Sequence, residues 1–413
     1  MKILLRLIIL AALSALVACS TTPSSETQAP YSPTILISLD GFRADYLDRG
    51  LTPTLAALAH DGVRAEAMKP SFPTLTFPNH YTLVTGLYPD HHGIVANKFS
   101  DPVTKKTFAY KDSSTIADPA WWGGEPLWVS VEKQGGHAAT MFWPGSDVAV
   151  ENVRPEFWVA FDGKITIDAR VDKVLSWIDL PAAQRPRFIT LYLDTTDHVG
   201  HDNGPDSPAV DDALRQIDTA LAHLVDGLKQ RGLFDRTNLV VVSDHGMTAT
   251  SPDRIVIVDR EFDMNAVDVI WSGVLGGYAA KPGHEREADA SILKPHQGMH
   301  CWRKSELPER LHYGNNPRIP SYVCLADDGW LIDTQKWLDD PTHHSSKGEH
   351  GYDNDDPNMR ALFIAHGPAF KRGLVVPEFD NVDVYPLLAK ILHIEPHASD
   401  GHLREVAGML AAP

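Results

Sequence analysis

Five short apolar runs rich in β-branched residues alternate along the chain with stretches of helical period. This alternation restricts the possible folds more than any other feature of the sequence. The runs are Thr34–Leu39, 138–142, Phe188–Leu193, 239–242 and 361–365; four are closed at once by a polar residue, and 138–142 runs through Trp143-Pro144 to Gly145. The helical stretches are 54–60, 164–178, 209–231 and Val384–Leu392. In 209–231, Leu214, Ile217, Leu221, Leu224 and Leu228 share one face, and Gly232 supplies a stop. Strands alternating with helices imply an α/β fold, a largely parallel sheet with helices on both faces. Ligands of such sheets bind at the carboxyl ends of the strands, and Asp40 and Asp244 each fall just after a strand. Residues 263–340 are less regular and read as an insertion on the same domain, so 34–413 is expected to be one catalytic domain.

Charge narrows the function. The 413 residues hold 37 Lys+Arg against 54 Asp+Glu, a formal net charge of −17. That excludes an extended basic surface for nucleic acid. It leaves anionic small molecules open, because bound metal ions can reverse the sign locally.

Residues 1–18 carry Lys2 and Arg6 and then an apolar stretch shorter than the ~20 residues of a membrane span. They read as a signal peptide. The stretch closes on Leu16-Val17-Ala18-Cys19, which resembles a bacterial lipobox in which the Cys19 thiol is acylated. Residues 19–33 are rich in Ser, Thr and Pro and suit a flexible tether. The expectation is a bacterial periplasmic lipoprotein, anchored to the membrane, the outer one favoured, through Cys19. The other two cysteines, Cys301 and Cys324, are then either a disulfide or two buried thiols; sequence leaves both open, and the oxidising compartment favours the pair.

Asp and His recur in tight clusters beside glycine: Asp40-Gly41, Asp197 with His201 four residues on, Asp244-His245-Gly246 and His350-Gly351. Three carboxylates and three imidazoles can hold two metal ions, and mixed N/O ligation suits zinc better than magnesium. Any one of them could be an ordinary loop-closing polar residue, but four clusters, two of them after strands, weigh against that. In 71–82, Pro78 reads as a helix start with Thr76 near the N-terminus, where negative charge is favoured. Its hydroxyl is either an N-cap or a nucleophile ionised by a metal, and spacing alone leaves both open.

With those residues in view, the chain resembles the nucleotide pyrophosphatase/phosphodiesterases of the alkaline phosphatase superfamily. The likeness rests on Leu39-Asp40-Gly41, Thr76-Phe77-Pro78-Asn79-His80-Tyr81, Thr85-Gly86-Leu87-Tyr88-Pro89, His92-Gly93-Ile94-Val95-Ala96-Asn97, Trp143-Pro144-Gly145, Asp197 through His201, Ser243-Asp244-His245-Gly246-Met247 and His350-Gly351-Tyr352, in the family's order. It is weakest over 263–340. The resemblance implies an alkaline-phosphatase-like fold and two Zn²⁺ per chain. Asp40, Asp244 and His245 would bind one ion, which also contacts the Thr76 oxygen; Asp197, His201 and His350 would bind the other. Thr76 would be the nucleophile and form a phosphothreonine intermediate, and Asn97 would donate to a phosphate oxygen. Phe77 and Tyr192 would line the nucleoside pocket, although Tyr192 also reads as strand core. The implied substrates are nucleotide diesters or pyrophosphates, cleaved to nucleoside 5′-monophosphates.

Three rivals remain open at this level: a phosphomonoesterase, a phospholipid-type diesterase and a periplasmic binding lipoprotein without turnover. The first would add cationic contacts to the extra phosphate charge, and no arginine accompanies Asn97 in its motif. A sulfatase would need a Cys/Ser-x-Pro-x-Arg pattern, which is absent around Thr76.

Overall fold

The computed structural model describes residues 31–342 and 345–412, and residues from Ser32 onward form one compact unit. The anticipated sheet is present, with eight strands in the order Leu374–Val376, Val63–Ala65, Phe363–His366, Asn238–Val242, Thr34–Leu39, Phe188–Leu193, Ala138–Met141 and Phe157–Val159. Thr34–Leu39 lies at its centre, parallel to Phe188–Leu193 on one side and to Asn238–Val242 on the other. All six of its residues are buried, as a strand covered on both faces must be. Each fully buried aliphatic side chain there stabilises the fold by about 1.5–3 kcal/mol.

The long amphipathic helix is Pro208–Gln230, capped by Ser207, whose hydroxyl accepts from the Val210 amide. Its apolar stripe packs on the helix Ile167–Ile178 and its polar face meets solvent. Gly232 follows in the left-handed region, at φ +64°.

Two expectations need correction. The run at 361–365 forms a strand two residues later, Phe363–His366, and pairs antiparallel with Asn238–Val242. A run of apolar residues reports burial, and strand direction is invisible in it. The segment 263–340 is not irregular: it contains a four-stranded antiparallel sheet, Val267–Trp271, Leu275–Ala280, Tyr322–Ala326 and Met299–Arg303. Its strands alternate weakly and hold glycine and polar residues, so period-2 patterning is blurred. Cys301 and Cys324 lie directly opposite each other on neighbouring strands and are disulfide-bonded.

Candidate functional site

The three central strands end at one edge, and there the chain delivers its acids and imidazoles. Asp40 follows Thr34–Leu39; Asp244 and His245 follow Asn238–Val242. The strand Phe188–Leu193 runs into the helix Thr195–Asn203, which presents Asp197 and His201 on one face, one turn apart. His350 follows the short strand Gly348–Glu349, which pairs antiparallel with Thr248–Ala249 just beyond His245. Its Nδ1 bonds the Thr74 carbonyl at 2.9 Å, tying this loop to the segment that carries Thr76.

Asp40, Asp244 and His245 form one group of potential ligand atoms, and Asp197, His201 and His350 form a second. His245 Nε2 lies 3.4 Å from Asp40 Oδ1 and 3.0 Å from Asp244 Oδ2. His201 Nε2 and His350 Nε2 lie 3.3 and 3.6 Å from Asp197 Oδ1. The rings of His245 and His350 stack at 3.5 Å and join the two groups.

These residues fit a pair of divalent cations. In all three histidines Nδ1 faces a backbone carbonyl, that of Gly246, Gly348 or Thr74, at 2.7–2.9 Å. Nδ1 therefore carries the proton, and each Nε2 is left to turn a lone pair on the carboxylates, the arrangement that orients metal-binding imidazoles. Asp40 Oδ1, Asp197 Oδ1 and Asp244 Oδ2 are buried and have no hydrogen-bond partner, which is costly unless a cation is held there. Burial, then the charges of Asp244 and Asp197, push the Asp40 carboxyl well above the usual carboxylate range. Burial opposes ionisation of Asp197 too, but His201 outweighs it and holds that carboxyl low. Burial and the neighbouring His245 push His350 down to about 4, so its ring is neutral at pH 7.

Thr76 is the first residue of the helix Thr76–Thr85, behind Leu75, whose side chain makes no capping bond. The hydroxyl is therefore not an N-cap. Its oxygen lies 3.3 Å from His245 Nε2, beside the first group. Asn97 Oδ1 accepts from the Phe77 amide at 3.0 Å, which leaves its Nδ2 as the group's donor. Phe77 is half-buried, edge-on to Phe108 and Tyr110.

Tyr192 sits differently from a nucleoside-lining residue. Its hydroxyl donates to Asp40 Oδ2 at 2.5 Å, and its ring is buried beside His80 and Phe161. Phe161, 59% exposed, lies edge-on to Tyr192 and Phe142 and is an exposed aromatic beside the site. Sequence reasoning passed over Phe161, since nothing marks it in the loop after an edge strand.

His80 was quoted only as part of a motif. It is buried, bonds Ser38 Oγ at 2.8 Å through Nε2, and sets Nδ1 2.9 Å from the Thr76 carbonyl and 3.2 Å from Asp244 Oδ2. A signal existed in Ser38, a hydroxyl inside an otherwise apolar buried strand, which needs a partner.

Gly41 is required where it stands. Its φ is +66°, and a Cβ there would lie 3.0 Å from the Asp197 Cα. Gly41→Ala is expected to cost about 1–2 kcal/mol from the left-handed backbone alone. It should also push Asp40 away from Asp197, so metal content measured after dialysis should fall together with the melting temperature.

Comparison with known proteins agrees with this geometry. The model of the type I phosphodiesterase / nucleotide pyrophosphatase family matches residues 34–353. An uncharacterized pyrophosphatase/phosphodiesterase of Schizosaccharomyces pombe is 39% identical over 381 residues, 90% of this chain and 79% of that protein. Rat ectonucleotide pyrophosphatase/phosphodiesterase family member 3 is 38% identical over 96% of this chain, which spans only 46% of that protein. Murine ectonucleotide pyrophosphatase/phosphodiesterase 5, solved as an inactive threonine-to-alanine variant in complex with AMP, superposes with a TM-score of 0.87 at 32% identity. The match covers 92% of this chain and all of that one.

These relatives come from yeast, rat and mouse. They overturn the expectation of a bacterial periplasmic lipoprotein, and the lipid anchor on Cys19 falls with it. The segments expected to be leader and tether, 1–18 and 19–33, lie outside the described residues except for the last three. Hydrophobicity and two early cations mark a leader only generically, so the source could not be read from them.

Proposed function

The chain belongs to the type I phosphodiesterase / nucleotide pyrophosphatase family. From that premise we propose that residues 34–413 form one catalytic domain hydrolysing nucleotide phosphodiester or pyrophosphate bonds, with Thr76 as nucleophile and two zinc ions as cofactor. The observation that carries this reading is the approach of the Thr76 oxygen to within 3.3 Å of His245 Nε2, beside two groups of partnerless carboxylate oxygens.

Asp40, Asp244 and His245 would hold one ion, and Asp197, His201 and His350 the other. The mixed carboxylate and imidazole donors favour zinc. Bound there, the ions would supply charge neutralisation for the phosphoryl group and lower the pKa of a hydroxyl.

The rest follows from the chain's own residues. The Thr76 hydroxyl gives up its proton and its oxygen attacks phosphorus; a bond forms between them, and the bond to the leaving oxygen breaks, that oxygen keeping the electron pair and taking up a proton. The product is a covalent phosphothreonine ester. Water then attacks the same phosphorus, the threonine oxygen leaves and is reprotonated, and a nucleoside 5′-monophosphate is released. Asn97 Nδ2 donates to a non-bridging oxygen, a neutral contact matched to a diester's single negative charge. The Phe77 face offers a platform for a base, and Phe161 offers a second exposed aromatic. Tyr192 holds Asp40 in place and does not stack on substrate. The inactive threonine variant of the murine relative, complexed with AMP, supports both the nucleophile and the product.

The test is a comparison of kcat/KM, with zinc present, for three substrates: a nucleoside 5′-monophosphate p-nitrophenyl ester, bis-p-nitrophenyl phosphate and p-nitrophenyl phosphate. The nucleotide ester is expected to be preferred by at least about tenfold, ~1.4 kcal/mol. Preference for p-nitrophenyl phosphate would move the chain to the phosphomonoesterases. No turnover of any of the three would leave a binding protein.

A further inference from the structure

A separate cluster of potential ligand side chains lies where a helix end meets two strand starts. Glu132 lies in the last turn of the helix Leu127–Lys133, His137 directly precedes the strand Ala138–Met141, and Glu156 directly precedes the edge strand Phe157–Val159. The two strands pair in parallel with Ala139 opposite Phe157, so His137 and Glu156 lie at neighbouring strand starts, one register position apart. Glu132 Oε1 accepts from the amides of Ala138 and Glu156 at 2.7 and 2.8 Å, so the carboxylate is fixed between the strand starts. One potential ligand atom from each of Glu132, His137 and Glu156 lies within 4.8 Å of the other two.

The imidazole distinguishes this cluster from an ordinary charged surface. His137 Nε2 bonds the Ala183 carbonyl at 3.1 Å, so it carries the proton. Its Nδ1 is buried and has no hydrogen-bond partner, and it faces Glu132 Oε2 at 4.0 Å, beyond hydrogen-bond reach. Among the other exposed imidazoles, His91 with Asp400 and His223 with Asp172 touch acids at 2.7 Å and His60 with Asp61 at 3.0 Å, while His300 with Asp327 and His198 with Asp194 stand at 3.4 and 3.8 Å. In the central site, by contrast, one ring nitrogen is committed to a backbone carbonyl and the other turns its lone pair on a carboxylate at 3.0–3.6 Å. His137 divides its two ring nitrogens in the same way, with the roles of Nδ1 and Nε2 exchanged and the carboxylate farther off, at 4.0 Å.

We propose that Glu132, His137 and Glu156 form a separate surface site for one divalent transition-metal ion, zinc by its mixed nitrogen and oxygen donors. The ion cross-links the end of a helix to the starts of two strands, including an edge strand paired over only three residues. Its role is structural, and it does not depend on the reading of the central site.

The test uses the full chain, dialysed against buffered free zinc, with metal per chain measured by mass spectrometry. His137→Gln keeps a donor for the Ala183 carbonyl, and Glu156→Gln alters an exposed side chain; neither touches the two amides held by Glu132. Each variant is expected to bind one zinc fewer than the parent, or to bind that equivalent at least tenfold more weakly. Turnover of the nucleotide ester should be unchanged. The melting temperature should match the parent's without zinc and fall below it with zinc. Equal zinc content and equal zinc-dependent melting in parent and both variants would overturn the proposal. A failure of the central site would read differently, as loss of turnover and of ions in the parent itself.

Discussion

Thr76→Ala is expected to lower kcat by at least about 10³-fold, roughly 4 kcal/mol of transition-state stabilisation, with the metal content unchanged. The two effects separate because the threonine oxygen is the attacking atom but only one contact among many at the metal groups. Four carboxylate and imidazole contacts at 3.0–3.6 Å persist without it. Nor should the fold respond. Thr76 is half-exposed at the first position of its helix, and the helix cap does not use its hydroxyl. Alanine is a good helix former, so the melting temperature should move by no more than about 2 °C, as for other surface substitutions of a few tenths of a kcal/mol. Thr76→Ser keeps an oxygen at the same place and should retain activity within about tenfold. Rapid-quench measurement with the nucleotide ester should trap a phosphoryl adduct on the parent and the serine variant, and none on the alanine variant. An alanine variant with full metal that keeps more than a hundredth of the parent kcat would mean that water attacks phosphorus directly.

What could be read from the sequence, and what could not, divides along a physical line. Position along the chain and residue type were legible: Asp40 and Asp244 at strand ends, Asp197 and His201 one helical turn apart. Each is a short-range consequence of strand or helix period. Which side chain faces which is a property of three-dimensional packing, and there the sequence was blind. Tyr192 enters the pocket only through the family resemblance, yet its hydroxyl is spent on Asp40. His80 looked like part of a pattern, yet it links Ser38, the Thr76 carbonyl and Asp244. The sheet within 263–340 escaped notice because Gly276, Gly277 and His300 break the apolar alternation on which a strand assignment depends. The leader expected at 1–18 rested on two early cations, an apolar run and a four-residue lipobox-like ending, features too short and generic to fix a compartment or a source.

Asp40→Asn should produce opposite effects on stability with and without metal. In the metal-free protein, burial and the charges of Asp244 and Asp197 raise the folded-state pKa of Asp40 above its unfolded value, near 3.9. A raised carboxyl binds more protons when folded. Its penalty is therefore absent below about pH 4 and grows as pH rises toward the folded-state value. By pH 7 the cost is at most about 4 kcal/mol, three pH units of proton binding. Asparagine has no charge to lose, its carbonyl can still accept from the Tyr192 hydroxyl, and its amide N–H groups face oxygens that otherwise lack a donor. The metal-free variant should therefore be more stable than the metal-free parent at pH 7, by about 1–3 kcal/mol, and the difference should vanish near pH 4. With zinc the order reverses. An ion at thousandfold excess over its Kd stabilises the parent by about 4 kcal/mol, and the variant, which has lost one anionic ligand, gains little from that ion. Melting curves at pH 7 should therefore cross, with the variant above the parent in chelator and below it in zinc. A variant that melts below the parent in both conditions would show that the Asp40 carboxylate serves the fold through Tyr192, and the two-metal reading would lose its first ligand.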